Sequence, residues 1–259
     1  MRHDSSGRRR QISEGRSKIL YEGPEAGTLV LYFKDSRAMF DRSGTESNVN
    51  GKGILNNCIS EMAFQRLADI GIANHFLRRL DRREQLVQAL DIIPLEVVVR
   101  NRAAGRLSER LGIEEGTKLD RPLVEWTYKK SADERPLVSE EHILSFGWAS
   151  TSELEDMLAM AVRVNDFLSG LFAGINLTLV DTRLEFGRLF HSDDSSQIVL
   201  ADEISPDSCR LWNLKSGERY DASEEQNLQT VAHQSIARKL GVMPEDDQSG
   251  AKVTPFMRK

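Results

Sequence analysis

Two carboxylates near the middle of the chain have the type and spacing for chemistry. Glu185 lies in Val180-Asp181-Thr182-Arg183-Leu184-Glu185-Phe186-Gly187, and Asp202 in Leu200-Ala201-Asp202-Glu203-Ile204-Ser205-Pro206-Asp207; they sit symmetrically about the polar segment His191 to Ser196. A hairpin folded at that segment sets them across from each other on one sheet face, where like charges destabilise the pair unless a proton or cation intervenes. Hard divalent cations select oxygen ligands, so the pair is a candidate Mg2+ site. The spacing alone leaves a second reading open, an exposed acidic patch on a solvated hairpin. The compact string that follows, Ser205-Pro206-Asp207-Ser208-Cys209-Arg210-Leu211-Trp212, shifts the weight toward the site.

The elements that must position these groups read as a mixed α+β chain. Apolar runs at Lys18 to Tyr21, Thr28 to Phe33, Gln85 to Leu90 and Pro94 to Arg100 predict a strand-rich first part, with Gly23-Pro24 and Gly27 marking a hairpin turn. Leu55, Ile59, Met62, Ala63, Leu67 and Ile70 recur at helical spacing, and Gly71 follows as a C-cap. A second helix is predicted after Ser152, whose capping box with Glu155 precedes Leu154, Leu158, Ala161, Val164, Leu168 and Leu171 on one face. Strands at Ile175 to Asp181, Arg183 to Leu189 and Gln197 to Glu203 complete the pattern.

Composition excludes several function classes. A chain of 259 residues, 39% hydrophobic and 29% charged, fits one large globular domain or two closely joined lobes. The net charge of −5 argues against general attraction to nucleic acid or anionic membrane, and Arg8-Arg9-Arg10 reads as a solvated arm. Cys58 and Cys209 fall in no metal or redox spacing and read as reduced thiols of a cytoplasmic protein; no apolar run predicts a leader or a membrane span. The polar ends, 1–10 and 244–259, are expected to be loose.

Three strings carry a resemblance: Pro94-Leu95-Glu96-Val97-Val98-Val99-Arg100-Asn101-Arg102-Ala103-Ala104-Gly105, Arg110-Leu111-Gly112-Ile113-Glu114-Glu115-Gly116, and Ala201-Asp202-Glu203-Ile204-Ser205-Pro206-Asp207-Ser208-Cys209-Arg210-Leu211-Trp212. In that order they closely resemble the phosphoribosylaminoimidazole-succinocarboxamide synthase, or SAICAR synthetase, family over roughly residues 11–220. The resemblance implies a two-lobed α+β fold with an ATP cleft between a strand-rich N-terminal lobe, 11–92, and a larger mixed lobe, 93–243, carrying the metal and acceptor site. It implies a carbon–nitrogen ligase of de novo purine biosynthesis that spends ATP, with Mg2+, to join L-aspartate to carboxyaminoimidazole ribotide through an acyl phosphate. The partners implied are these small molecules, with no nucleic acid and no membrane; a homodimer is left open.

Carried over residue by residue, the resemblance places Gly15, Arg16 and Lys18 of Ser13-Glu14-Gly15-Arg16-Ser17-Lys18 at the ATP phosphates, with Glu96 also on the nucleotide. The strand from Leu86 to Pro94 is expected to line the adenine pocket. Glu185 and Asp202 match the magnesium carboxylates, and Asp181 and Arg183 match catalytic positions, Arg183 standing where the family has lysine. Arg100, Ser205, Asp207 and Arg210 match substrate-binding positions, the two arginines holding the ribotide and its phosphate. Lys52 and Lys129 match basic positions that are either at the substrates or on the surface.

The chain also departs from the family's pattern. Arg106 replaces a serine that contacts the ribotide phosphate and is itself expected at the substrate, where it can bind an anion or fill the space; Ser131 and Arg135 replace aspartates, Ser36-Arg37-Ala38-Met39 replaces Asp-Ala-Thr-Ala, and Ala222-Ser223-Glu224-Glu225-Gln226 replaces Lys-Asp-Arg-Phe-Arg. The nucleotide and metal half is kept while the acceptor half is altered. A ligase acting on another carboxylate or amine, or a non-catalytic nucleotide-binding paralogue, therefore stands as the alternative to the purine-pathway ligase.

Overall fold

The computed structural model describes residues 9–35, 51–130, 134–193, 195–220 and 226–243, with the side chains of 226–230 left aside. Ser36 to Met39, Ser131, Ala222 to Glu225, the Gln226 side chain and the segments before Arg9 and after Met243 lie outside the described residues.

Two antiparallel sheets organise the chain. The first comprises β1 (Gln11–Glu14), β2 (Lys18–Glu22), β3 (Thr28–Phe33), β4 (Phe76–Arg79) and β5 (Glu84–Gln88) in the order β1-β2-β3-β5-β4, with helix α1 (Lys52–Asp69) inserted between β3 and β4. The turn between β2 and β3 falls at Gly23-Pro24 and Gly27 as expected, closed by the Gly23 N–H on the Thr28 carbonyl at 3.1 Å. The second sheet comprises β6 (Asp91–Arg102), β7 (Lys118–Tyr128), β8 (Leu137–Val138), β9 (Leu177–Phe190), β10 (Ser196–Ala201) and β11 (Cys209–Asn213); its path runs β10-β9-β6-β7-β8, with β11 also on β9. Helices α2 (Arg106–Leu111), α3 (Glu140–Ser145), α4 (Thr151–Ala173) and α5 (Gln226–Leu240) complete the described chain.

The expected break at Thr182 does not occur: β9 is one strand of 14 residues with Thr182 fully buried. Pro94 sits inside β6, where the β6–β9 register shifts between Ile92 and Glu96, so the missing proline N–H falls at an irregularity rather than a regular rung.

Helix ends follow cap chemistry. α1 ends in a Schellman motif about Gly71, whose N–H bonds the Ala68 carbonyl at 2.9 Å while that of Ile72 bonds Leu67 at 2.9 Å. Its N-terminus is held from outside: the Asp35 carboxylate accepts the N–H groups of Gly51 and Gly53 at 3.1 and 2.9 Å, and Arg83 grips the same carboxylate with two bonds of 2.7 Å. α4 is capped two residues earlier than its Ser152–Glu155 pattern predicts, by Ser150 with Glu153. The Ser150 N–H donates to Glu153 at 2.7 Å, and Glu153 also receives Arg188 of β9, which ties the cap to the sheet. The buried face of α4 is Leu154, Met157, Ala161, Val164, Leu168 and Phe172, while Leu158 is exposed and Leu171 only half-buried. These side chains share one core with Leu55, Ile59, Phe64 and Leu67 of α1 and Leu95, Val97, Val99, Leu179, Leu184 and Phe186 of the second sheet, which fixes the strands carrying the polar groups.

Candidate active site

The polar cavity lies between the β1–β2 turn of the first sheet and strands β6 and β9 of the second. Arg16, Ser17 and Lys18 line one side, Glu96, Arg183 and Glu185 the other, and the loop after β10 closes it with Asp202, Glu203, Asp207 and Ser208. The Gly15 N–H bonds the Lys18 carbonyl at 2.8 Å, a tight turn that sets Arg16 and Ser17 at its tip.

The hairpin register corrects the expected pairing of the two carboxylates. Glu185 faces Ala201, and Asp202 lies one residue beyond the ladder. Side chains alternate along a strand, so an extended Asp202 would point away from the Glu185 side. Instead Asp202 adopts φ 63, a left-handed conformation that costs a non-glycine residue about 1–3 kcal/mol, and its carboxylate returns to the cavity. The His75 imidazole meets the Asp202 carbonyl at 3.0 Å. Burial pushes His75 down to about 4, so the ring is neutral, and because a carbonyl can only accept, Nε2 carries the hydrogen.

Burial and neighbouring charges set the acids apart. Burial first, and then the charge of Asp202, push Glu185 up to about 7 although Lys129 ion-pairs with it. Asp202 is held below its ordinary value: burial opposes its charge, but Lys18, at 2.5 Å, and Lys129 outweigh that. Lys18 also meets Glu203 at 2.7 Å, and burial raises Glu203. Glu185 and Glu203 are thus both held above their ordinary values, burial being the first cause in each. Across the cavity Glu96 is flanked by Arg135 at 3.8 Å and Arg183 at 3.9 Å, and it accepts the Thr127 hydroxyl at 3.4 Å.

Two further clusters border the cavity. In one, buried Asp181 takes Arg100 at 2.9 Å and Arg210 at 3.6 Å on Oδ2, while Arg100 also bonds Glu125 at 2.6 Å. Oδ1 of Asp181 is buried and has no hydrogen-bond partner among the described residues. Arg210 packs over Gly105, whose φ of 53 favours glycine; a Cβ there would stand 3.0 Å from the guanidinium, which would have to shift slightly. In the other cluster, Asp207 is bonded by Lys52 at 2.7 Å, Asn56 at 2.8 Å and His233 at 3.2 Å, joining α1 and α5 to the site loop. Lys52 is neither on the surface nor in the cavity lining: it is fully buried.

Of the residues singled out in the sequence, Arg16, Lys18, Glu96, Arg183, Glu185, Asp202 and Asp207 converge on the cavity. Lys129 joins them through Glu185, and Asp181, Arg100 and Arg210 form the adjoining cluster. Gly15 shapes the turn. Ser205 is fully buried and keeps its hydroxyl within the loop, donating to Glu203 at 2.7 Å and accepting the Asp207 N–H at 3.1 Å. Arg106 is exposed at the first position of α2, away from the cavity lining. Glu203, Ser17 and Ser208 line the cavity without having been singled out; Glu203 was marked only by adjacency to Asp202 in the same string.

Among the described residues no three His, Cys, Asp or Glu side chains form a ready metal centre. Mg2+ does not need one, since one or two carboxylates plus substrate phosphates suffice. A buried carboxyl raised by burial and by the charge of a neighbouring carboxylate fits such a partial cation site, and Arg16 and Lys18 beside it suit a polyphosphate.

The SAICAR synthetase family model matches residues 11–240. This chain belongs to the SAICAR synthetase family. It is 56% identical over 243 residues to the phosphoribosylaminoimidazole-succinocarboxamide synthase of Rhizorhabdus wittichii, covering 93% of each chain. It is 54% identical to that of Hyphomonas neptunium, covering 96% of this chain and 97% of the relative. The crystal structure of the Ehrlichia chaffeensis synthase superposes with a TM-score of 0.84 at 40% identity, over 91% of this chain and all of that one. A SAICAR synthetase in complex with ADP superposes at 0.81 with 34% identity, over 90% of this chain and 99% of that one. The family relationship accounts for the α+β architecture of two antiparallel sheets. Among the described residues no helix is long and apolar enough to cross a membrane.

Proposed function

We propose that the chain is the ATP-dependent ligase that joins L-aspartate to the carboxylate of carboxyaminoimidazole ribotide, yielding SAICAR, ADP and phosphate, and that it works in the cytoplasm. The observation that carries this is one cavity in which Arg16 and Lys18 stand beside Glu185 and Asp202, with Glu185 held above its ordinary value by burial and by the Asp202 charge.

In this reading Arg16 and Lys18 bind the ATP phosphates, and Glu185 and Asp202 would hold Mg2+, which would neutralise charge on the phosphates. The ribotide carboxylate oxygen takes the γ-phosphoryl group, ADP leaves, and an acyl phosphate forms. The aspartate amine then attacks the carbonyl carbon; the C–N bond forms, the C–O bond to phosphate breaks, and the amine gives up a proton. In this reading Asp181, in the cluster adjoining the cavity, takes that proton; what supports the role is its buried Oδ1, an acceptor with no donor among the described residues. Arg100 and Arg210, held by Asp181, present cationic groups to the ribotide phosphate. Most of the rate enhancement in such a site comes from positioning and charge stabilisation.

The test is product formation by purified protein with ATP, the carboxylated ribotide and L-aspartate. SAICAR and phosphate are expected in equal amounts and none when any substrate is withheld, with Asp181→Asn lowering kcat by about 100-fold or more, at the scale of a lost general base. ATP consumption that ignores the ribotide and aspartate would overturn the assignment.

A further inference from the structure

We propose that His75 is the positioning residue for Asp202: its imidazole, bonded to the Asp202 main-chain carbonyl, holds the left-handed turn that aims the carboxylate at the cavity. The inference rests on the reading of Asp202 as a cation ligand.

His75 holds the chain at two points. Its main-chain N–H bonds the Leu200 carbonyl at 2.9 Å, and its ring bonds the Asp202 carbonyl at 3.0 Å, so one residue brackets Ala201 and fixes the direction in which the backbone leaves β10. The bracket is anchored from behind. The His75 carbonyl accepts the N–H of Gln88 in β5 at 2.8 Å, and the ring stands edge-on to Phe64 of α1 with centroids 5.3 Å apart. The side chain that steers Asp202 therefore comes from the α1–β4 connection, anchored on β5 and α1, while Glu185 belongs to the second sheet and Asp202 directly follows that sheet's β10. Lys18 is the other strong contact of Asp202, but it holds the carboxylate rather than the backbone. Without the ring's donor nothing else shown in contact with the Asp202 carbonyl opposes relaxation of residue 202 to an extended backbone, and in that conformation alternation turns its side chain away from Glu185.

The experiment measures Mn2+ binding to the full chain with ADP present, by electron paramagnetic resonance and without turnover, in the natural protein and in three variants. His75→Phe keeps a ring against Phe64 but has no donor; His75→Gln can present an N–H near the Nε2 position; Asp202→Asn removes the carboxylate itself. His75→Phe is expected to weaken Mn2+ about 10- to 100-fold, the range found for partners that orient a metal ligand, with ADP affinity in the absence of metal unchanged and His75→Gln within about threefold of the natural protein. If His75→Phe does not fold, His75→Asn, polar but too short to reach the carbonyl, carries the same expectation. Undiminished Mn2+ binding in His75→Phe, alongside a tenfold or greater loss in Asp202→Asn, overturns the inference. If Asp202→Asn itself keeps its affinity, the cation reading fails instead. The φ angle of residue 202 in a crystal structure of the His75→Phe protein then decides the positioning role separately: an extended residue supports it, and a retained left-handed one overturns it.

Discussion

Replacing Lys52 by methionine should strand a charge. The ammonium is fully buried and lies 2.7 Å from Asp207, whose side chain is only 5% exposed. Burial opposes the Asp207 charge, and Lys52 is foremost among the groups that overcome it and hold that carboxyl far below its ordinary range. Removing one partner of a buried pair costs about 3–5 kcal/mol because the other charge stays behind. Asn56 and His233 still donate to Asp207 after the substitution, which places the expected loss near the lower end, about 3 kcal/mol. For a chain of this size each kcal/mol moves Tm by about 2–4 °C, so the midpoint should fall by about 6–12 °C. Adding Asp207→Asn removes the stranded charge, so the double variant should be more stable than Lys52→Met alone, with a coupling of about 1–3 kcal/mol in a double-mutant cycle. Urea unfolding of the natural protein, both single variants and the double variant supplies the four free energies. A loss below about 1 kcal/mol for Lys52→Met, with additive effects in the cycle, would refute the reasoning and return Lys52 to the surface or to the substrates.

Two further outcomes follow from local geometry. His75 is held at about 4 when folded against an ordinary 6.5, so between those values only the unfolded chain binds the proton; stability must then fall as pH drops through that window, by up to about 3 kcal/mol. His75→Gln lacks this proton, and unfolding at pH 7 and pH 4.5 should show the glutamine variant gaining on the natural protein toward acid; a constant difference would contradict it. Gly53→Ala places a Cβ 2.5 Å from the Phe33 carbonyl and 2.8 Å from that of Lys34, both main-chain atoms, so thermal melting should show a loss of about 1–3 kcal/mol as the start of α1 shifts off Asp35. An unchanged midpoint would show that this turn gives way freely.

The elements with a continuous period were legible in the sequence. α1 and α4 announce themselves by apolar residues at helical spacing, and strands β2, β3, β5, β6 and β10 by short apolar runs. β7 did not, since Asp120-Arg121-Pro122 interrupts it and its first half is exposed. The α4 cap illustrates a different limit. Two serines each precede a glutamate by three residues, and only the long-range bond from Arg188 to Glu153 distinguishes them. The site was legible in its residue types and less so in its geometry. Symmetry about the hairpin puts Asp202 opposite Glu185, whereas the true register is shifted by one residue and puts Ala201 there. A one-residue slip reverses the face, and here a left-handed backbone undoes the reversal, which no local signal announces for an aspartate. The Lys52–Asp207–His233 cluster joins three elements far apart in the chain, so it exists only once the fold is formed.

We assign ATP-dependent ligation to the Glu185–Asp202 cavity. The most direct measurement is the initial rate of SAICAR formation at saturating ATP, Mg2+, ribotide and L-aspartate for the natural protein and for Glu185→Gln, which keeps the side chain's shape and discards its charge. A loss of at least about 100-fold is expected in the variant, with its melting temperature preserved, if the Glu185 charge acts where the phosphates react. Equal rates in the two proteins would contradict it.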